Sequence, residues 1–272
     1  MSVTVFHEYR AFVRKEVAER RTYRTAVLLG VVSSLVALGQ FAFLGVFLRD
    51  GGTLPGMQEY GGSVAAFLIS GTAFSGFVMV SLHGLTQSIQ AEQVAGTLEA
   101  VAGSAVGLLR VMMFGAVTAM IGTFAGSALM LVFFSAVLGF PLSVDPLSLG
   151  FALTATVVCL GGFGMAGCGI VLVTKKGDPV SWLVFTTMTL LSGILYPTSV
   201  LPGWLQEVAH LLPTTVALDL VRRSLLAGAT LSGTAGGSTV LLAWTAVSVP
   251  VGAAVLVWGL RATRLRGSLA QF

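Results

Sequence analysis

Charge is what this chain has least of. Its 15 Lys+Arg and 11 Asp+Glu make 26 charges in 272 residues, or 10%, where ordinary soluble domains carry about 25%. A soluble domain of this length cannot cover its surface with so few charges. A disordered chain would be polar and charge-rich, whereas 55% of these residues are hydrophobic. Composition therefore points to an integral membrane protein. Cysteine is scarce too. Cys159 and Cys168 lie nine apart in one apolar stretch, which makes neither a disulfide framework nor a metal cluster. They read as two small buried residues of a membrane helix. The only lysines are Lys15, Lys175 and Lys176, and none sits in a phosphate-binding G-x-x-x-x-G-K-[ST] loop. The three histidines, His7, His83 and His210, are far apart, and neither H-E-x-x-H nor G-x-S-x-G occurs. His83 reads as a packed or interfacial side chain, with a cavity-facing one as the alternative. An intramembrane enzyme has no constellation to work with.

What is present is long uncharged sequence. A spanning helix needs about 20 apolar residues. Six segments without Asp, Glu, Lys or Arg meet that length: Ala26–Leu48, Val64–Leu85, Val111–Leu138, Leu147–Thr174, Val180–Val200 and Val240–Leu260. The expected fold is all-α, with six transmembrane helices. Carriers driven by protons or ions usually hold ionisable groups at membrane depth. None is expected here, so the driving force should come from another chain. Glycine numbers 34 and crowds the fourth segment at Gly161, Gly162, Gly164, Gly167 and Gly169. Without strict four-residue spacing these predict dense helix packing rather than a dimer motif.

Orientation follows from the basic residues, which concentrate on the cytoplasmic side of short loops. With the N-terminus inside, twelve face inward, Arg110, Lys175, Lys176 and Arg261 among them. Three, Arg49, Arg222 and Arg223, face outward. Both termini are predicted cytoplasmic. Tyr23, Trp182 and Trp258 then fall at inner ends and Tyr60 and Trp204 near outer ones, as aromatic belts require. Residues 1–25 are not a signal peptide, since a polar-rich stretch precedes the first span. Phe6, Tyr9, Val13 and Val17 recur at helical spacing, with Arg14, Lys15 and Glu19 elsewhere on the wheel. That pattern is an amphipathic helix lying in the membrane interface, as a plain anchor, as an elbow touching a cytoplasmic partner, or as both.

Two loops are more than connectors. The cytoplasmic one, residues 87–110, carries Glu92 and Glu99, seven apart and on one face of a continuous helix, though Gly96 favours a break. It reads as a docking segment for a partner's basic groove or as a solvated turn. The outer one, residues 197–239, stays apolar, from Val208 to Leu226, and is punctuated by Pro197, Pro202 and Pro213. An apolar loop in water is costly. It should fold back toward the membrane as short broken helices, because non-helical backbone there survives only against protein or a cavity. The alternative is a proline-rich surface loop.

In this order, the two loops resemble the ABC-2-type transporter permease family. Glu92…Gly96-Thr97-Leu98-Glu99 is similar to its cytoplasmic E-x-x-x-G-T-L-E motif. Leu191-Ser192-Gly193-Ile194-Leu195-Tyr196-Pro197, Leu201-Pro202-Gly203-Trp204-Leu205, Leu211-Leu212-Pro213 and Ala217-Leu218-Asp219…Arg222 resemble its pattern before the last span. The chain departs from that pattern at Gln93, where a basic residue is common, and at Gly103-Ser104-Ala105, where a Thr-Pro step is common. The resemblance implies a six-span domain over 26–272, preceded by the interface helix and carrying a re-entrant hairpin before the last span. It implies a permease subunit of an ATP-driven exporter in the bacterial cell membrane, paired with an identical or homologous permease. Two separate ABC ATPase subunits would bring ATP and Mg, with no cofactor and no catalytic residue in this chain. Nucleic acid is not an expected partner; the lipid bilayer is.

The same resemblance assigns ATPase coupling to Glu92, Gly96, Thr97, Leu98 and Glu99, with Phe6, Tyr9, Val13 and Val17 seating the interface helix. Pro197, Pro202, Trp204 and Pro213 would shape the outer gate. Phe41, Phe43, Phe67, Phe74 and Phe77 are candidates for an apolar route, suited to a drug, antibiotic or lipid, although aromatic residues on spans also face lipid or neighbouring helices. The competing function class is a membrane assembly or immunity protein without transport, which would need no ATPase.

Overall fold

The structure is a computed structural model and describes residues 2–22, 24–49, 63–94, 108–174 and 179–265. All regular elements among them are helical. They are α1 (Ser2–Thr22), α2 (Arg24–Arg49), α3 (Val64–Val94), α4 (Leu108–Leu138), α5 (Pro146–Thr174) and α6 (Pro179–Leu191). A 3₁₀ turn (Thr198–Val200) follows, then α7 (Gly203–Leu211), α8 (Pro213–Leu226) and α9 (Ala235–Leu265). Five of these, α2, α3, α4, α5 and α9, are long and apolar enough to cross a membrane.

The uncharged segments predicted these five well, and the helices overrun them. α3 continues past Leu85 to Val94 and α9 starts at Ala235 rather than Val240. Polar residues extend a helix once it has left the hydrocarbon, since its backbone bonds are internal. The fifth segment, Val180–Val200, behaves differently. Its helix stops at Leu191, and 13 residues rise only about 20 Å. Gly193 adopts φ 77°, a left-handed conformation that suits glycine and ends a helix. Pro197 then starts the 3₁₀ turn.

α3 is the central column, with Phe67, Ile69, Phe74, Val78 and Leu82 buried along its length. Around it lie α4, antiparallel, and α5. Against α5 runs α9, in parallel. The register of that pair is set by glycine. A Cβ on Gly252 would stand 1.9 Å from the Gly162 carbonyl oxygen, and one on Gly259 2.3 Å from that of Gly169. The backbones approach because nothing lies between them. Ser248 Oγ donates to the Cys159 carbonyl (2.9 Å) and Thr263 Oγ1 to that of Leu172 (3.2 Å). The crowded glycines of α5 thus pack within the chain. Gly164 serves α3 in the same way, where a Cβ would sit 2.4 Å from the Ser81 carbonyl oxygen. Both cysteines are buried and unbridged.

Because α5 and α9 run in the same direction, the chain between Thr174 and Ala235 returns from one end of the bundle to the other. α6 is the described helix that begins this return. α2 packs more loosely. Its last turns meet α3 at Gly45 and Ala65, while Leu28, Leu29, Val32 and Val36 are exposed.

Candidate functional site

The stretch before α9 folds into a hairpin of two short helices, α7 and α8. Each proline starts an element, as its fixed φ and missing N–H favour. Pro202 precedes α7 and Pro213 is the first residue of α8. The two helices differ sharply. α8 is buried over most of its length, whereas in α7 only Ala209 is buried and Trp204, Val208 and Leu211 are exposed. α7 is tied down at its edges. Gln206 Nε2 donates to the carbonyls of Ser199 (3.1 Å) and Leu201 (2.7 Å), and Trp244 Nε1 to that of Leu211 (2.9 Å).

α8 is held by Arg222, which is 3% exposed. Its Nη1 donates to the Gly193 carbonyl (3.0 Å). Its Nη2 donates to those of Phe67 (3.0 Å) and Ile194 (3.2 Å), and Nε to Ser70 Oγ (3.4 Å). The guanidinium lies 3.5 Å from the centroid of the Phe67 ring, a cation–π contact. Three of these acceptors are backbone carbonyls, two of them in the break that follows α6. Such carbonyls have no helical partner, and the negative end of the α6 dipole favours a cation there. Gly71 makes room for the arrangement. A Cβ at that position would be 2.2 Å from the Ile194 carbonyl oxygen and 2.7 Å from Arg222 Nη2.

This corrects one expectation. Arg222 counts as an outer-loop charge in the sequence, yet it lies inside the bundle beside the second turn of α3. The six uncharged segments carry no charge, but Arg222 brings one into the interior between the helices. At the far end of α8, Ser224 Oγ and Ser148 Oγ are 2.7 Å apart. The Asp145 amide donates to the Ser224 carbonyl (3.0 Å), and Asp145 Oδ1 caps α5 at the Ser148 amide (2.7 Å). The hairpin is therefore fastened to α3, α5 and the α6 break together.

Two concavities flank α8. A cavity of about 390 Å³ lies among the α6 break, the hairpin and the start of α9, and Phe67, Pro197, Asp219, Arg222 and Arg223 are among its walls. Arg223 Nε bonds Asp219 one turn back (2.9 Å to Oδ2). On the other side a groove of about 190 Å³ is walled by Phe74, Phe77, Phe124, Leu131, Val221 and Leu225. Of the five candidate pathway aromatics, Phe74 and Phe77 meet in this groove. Phe41 packs against buried Phe67 near the hairpin, and Phe43 is 76% exposed on α2.

At the opposite end, α1 lies against the start of α4. Glu8 pairs with Arg110 (3.3 Å), and Tyr9 Oη and Thr118 Oγ1 are 3.4 Å apart. The Tyr9 and Phe12 rings lie 5.4 and 6.0 Å from that of Phe114. Tyr9 is thus in the contact, Phe6 and Val17 are largely exposed, and Val13 is half-buried. Phe12 was missed. The apolar series chosen from the sequence runs through Val13, one position round the wheel. Of the coupling candidates, Glu92 lies in the last turn of α3, while Gly96, Thr97, Leu98 and Glu99 lie outside the described residues.

Residues 7–226 match the sequence model of the ABC-2 type transporter family. The chain is also similar to nodulation protein J of Sinorhizobium fredii (strain NBRC 101917 / NGR234). The two are 35% identical over 108 residues, 38% of this chain and 38% of that relative.

Proposed function

Because this chain belongs to the ABC-2 type transporter family, we propose that it is the permease subunit of an ATP-driven exporter. It is the membrane component of such a transporter and a multi-pass membrane protein. On our reading, two permeases, identical or homologous, enclose a pathway in the bacterial cell membrane. Both termini are cytoplasmic, and two copies of a separate ABC ATPase bind at the α1 and 87–110 side. ATP and Mg belong to that ATPase. α6 with the break and turn that follow it is the sixth crossing, which the parallel α5–α9 register supports. The α7–α8 hairpin is re-entrant and gates the outer end.

The observation that carries the mechanism is the continuity of α3. Thirty-one residues make a rod of about 45 Å. One end carries Glu92 and runs into the coupling segment. The other carries Phe67 and Ser70, which hold Arg222. ATPase closure that tilts the inner end of α3 would therefore pull on the hairpin through the arginine. α1, pinned to α4 by Glu8 and Tyr9, steadies the other side of the coupling segment. The apolar groove at Phe74 and Phe77 suits a hydrophobic or amphiphilic cargo better than a wholly polar one.

The test is co-expression with an ABC ATPase from the same genome. The ATPase should co-purify, and Glu99→Arg should cut transport-coupled ATP hydrolysis at least tenfold. Unchanged hydrolysis and transport would remove the coupling assignment. For the route, photo-crosslinking from position 74 that captures only bilayer lipid would count against it.

A further inference from the structure

α1 has two faces of different chemistry. One meets α4. The Tyr9 and Phe12 rings lie against Phe114, and Glu8 pairs with Arg110 at 3.3 Å. Glu16 turns one carboxylate oxygen, Oε2, away from solvent. The other face is exposed and reads Phe6, Arg10, Arg14, Val17 and Arg21. These residues follow one another at steps of 4, 4, 3 and 4, so they form one stripe along the helix. Among the described side chains of α1, the carboxylates are thus turned inward, while three arginines and two apolar side chains face away. The apolar series expected from the sequence is split: Tyr9 goes to α4, and Phe6 and Val17 go to the arginines.

We infer that this stripe binds the surface of a bilayer containing anionic phospholipid, with Arg10, Arg14 and Arg21 at the level of the lipid phosphates and Phe6 and Val17 among the acyl chains. Chain connectivity holds α1 at the membrane surface. One residue separates it from α2, and the apolar span within α2 begins at Leu28. α2 carries the same surface onward. Arg24 is exposed at its start, and Leu28, Leu29, Val32 and Val36 are exposed beyond it. A basic stripe that passes into an apolar one is what a helix lying in the interface presents. The interleaving also selects the partner. An acidic groove on a soluble protein would match the arginines but set Phe6 and Val17 against charge. A bilayer offers phosphates and hydrocarbon side by side. Each basic residue near an anionic bilayer adds roughly fivefold in affinity, so three on one stripe favour anionic over zwitterionic lipid. Binding here requires neither export nor an ATPase, so it stands or falls separately from the transport reading.

The full chain would be reconstituted in nanodiscs with a fluorophore at Ala18→Cys, an exposed position beside the stripe. Cys159 and Cys168 are buried, so the dye stays on α1. Short-range quenching by lipids with a nitroxide on the acyl chain would be compared for phosphatidylglycerol and phosphatidylcholine. Phosphatidylglycerol should be preferred at least fivefold at about 0.01 M salt and less than twofold at about 1 M, because the screening length falls from about 30 to about 3 Å. Arg10→Gln combined with Arg14→Gln should cut the preference at least threefold. Arg10→Lys combined with Arg14→Lys should keep most of it, since the attraction follows charge. The salt titration of the chain with its arginines intact holds the test open if the glutamine pair disturbs α1. No preference for phosphatidylglycerol, a preference that salt does not weaken, or one that the glutamine pair leaves unchanged would overturn the assignment. Loss of quenching by both lipids when an ABC ATPase is added would give the stripe to that protein and overturn it as well.

Discussion

The α5–α9 seam and the Arg222 clasp both bring helices together, and they do so by opposite means. At the seam nothing intervenes. Gly162 and Gly169 meet Gly252 and Gly259, and the backbones come as close as their own atoms allow. Dispersion between backbones and weak Cα–H···O contacts hold such pairs where lipid supplies no hydrophobic drive. At the clasp a long side chain from α8 gathers two carbonyls of the α6 break that no helix satisfies, together with one carbonyl of α3. The seam tolerates no added atom but asks for no particular chemistry. The clasp asks for one side chain and no other, because only a guanidinium offers a planar fork of five donors. A seam of this kind suits a fixed frame. A clasp of hydrogen bonds can be released and remade, as a moving part requires.

The sharpest way to break the comparison is Arg222→Leu. It strands the carbonyls of Gly193 and Ile194, and a buried acceptor left unsatisfied costs about 1–3 kcal/mol per group. The damage should stay local. Limited proteolysis should cut around residues 193–212 first, while the α5–α9 pair persists. Loss of the whole fold in one step would show that the clasp belongs to the frame. Gly252→Ala should come next, at about 1–3 kcal/mol for overpacking, read as a lower melting temperature in detergent. Its effect should be global, with no preferential cutting in the hairpin. A neutral Gly252→Ala would mean the seam can part without cost. The smallest effect is expected from Arg110→Gln. Its pair with Glu8 is partly exposed, and such pairs contribute about 0–1 kcal/mol. Stability should barely move, while α1 should become more accessible to labelling.

The frame was legible in the sequence and the clasp was not. Val64, Leu138 and Thr174 appear as segment ends in the sequence and as helix ends or starts in the structure, because absence of charge is a local property of a run. Dense packing was legible from the glycines of α5, though their partners, 90 residues further on, were not. The break after Leu191 was hidden inside an uncharged run, since hydropathy counts residues and does not follow the backbone's hydrogen bonds. Pro197 was read as punctuation of the outer loop rather than of a span. Arg222 read as a surface charge because its acceptors come from residues 67, 193 and 194, distant in the chain. At α1, a choice between Phe12 and Val13 could not be made from the wheel alone, because the surface it meets belongs to α4.

One further consequence concerns the order in which the chain is made. The break that follows α6 holds open carbonyls at Gly193 and Ile194, and their donor is residue 222. During synthesis that donor emerges 28 residues after Ile194. Until then the end of α6 is unfinished, and a helix about 20 Å long cannot bury it unaided. α6 therefore takes its final place only once α8 has been built and delivered to it. The last third of the molecule matures as one unit, with its arginine as the closing piece.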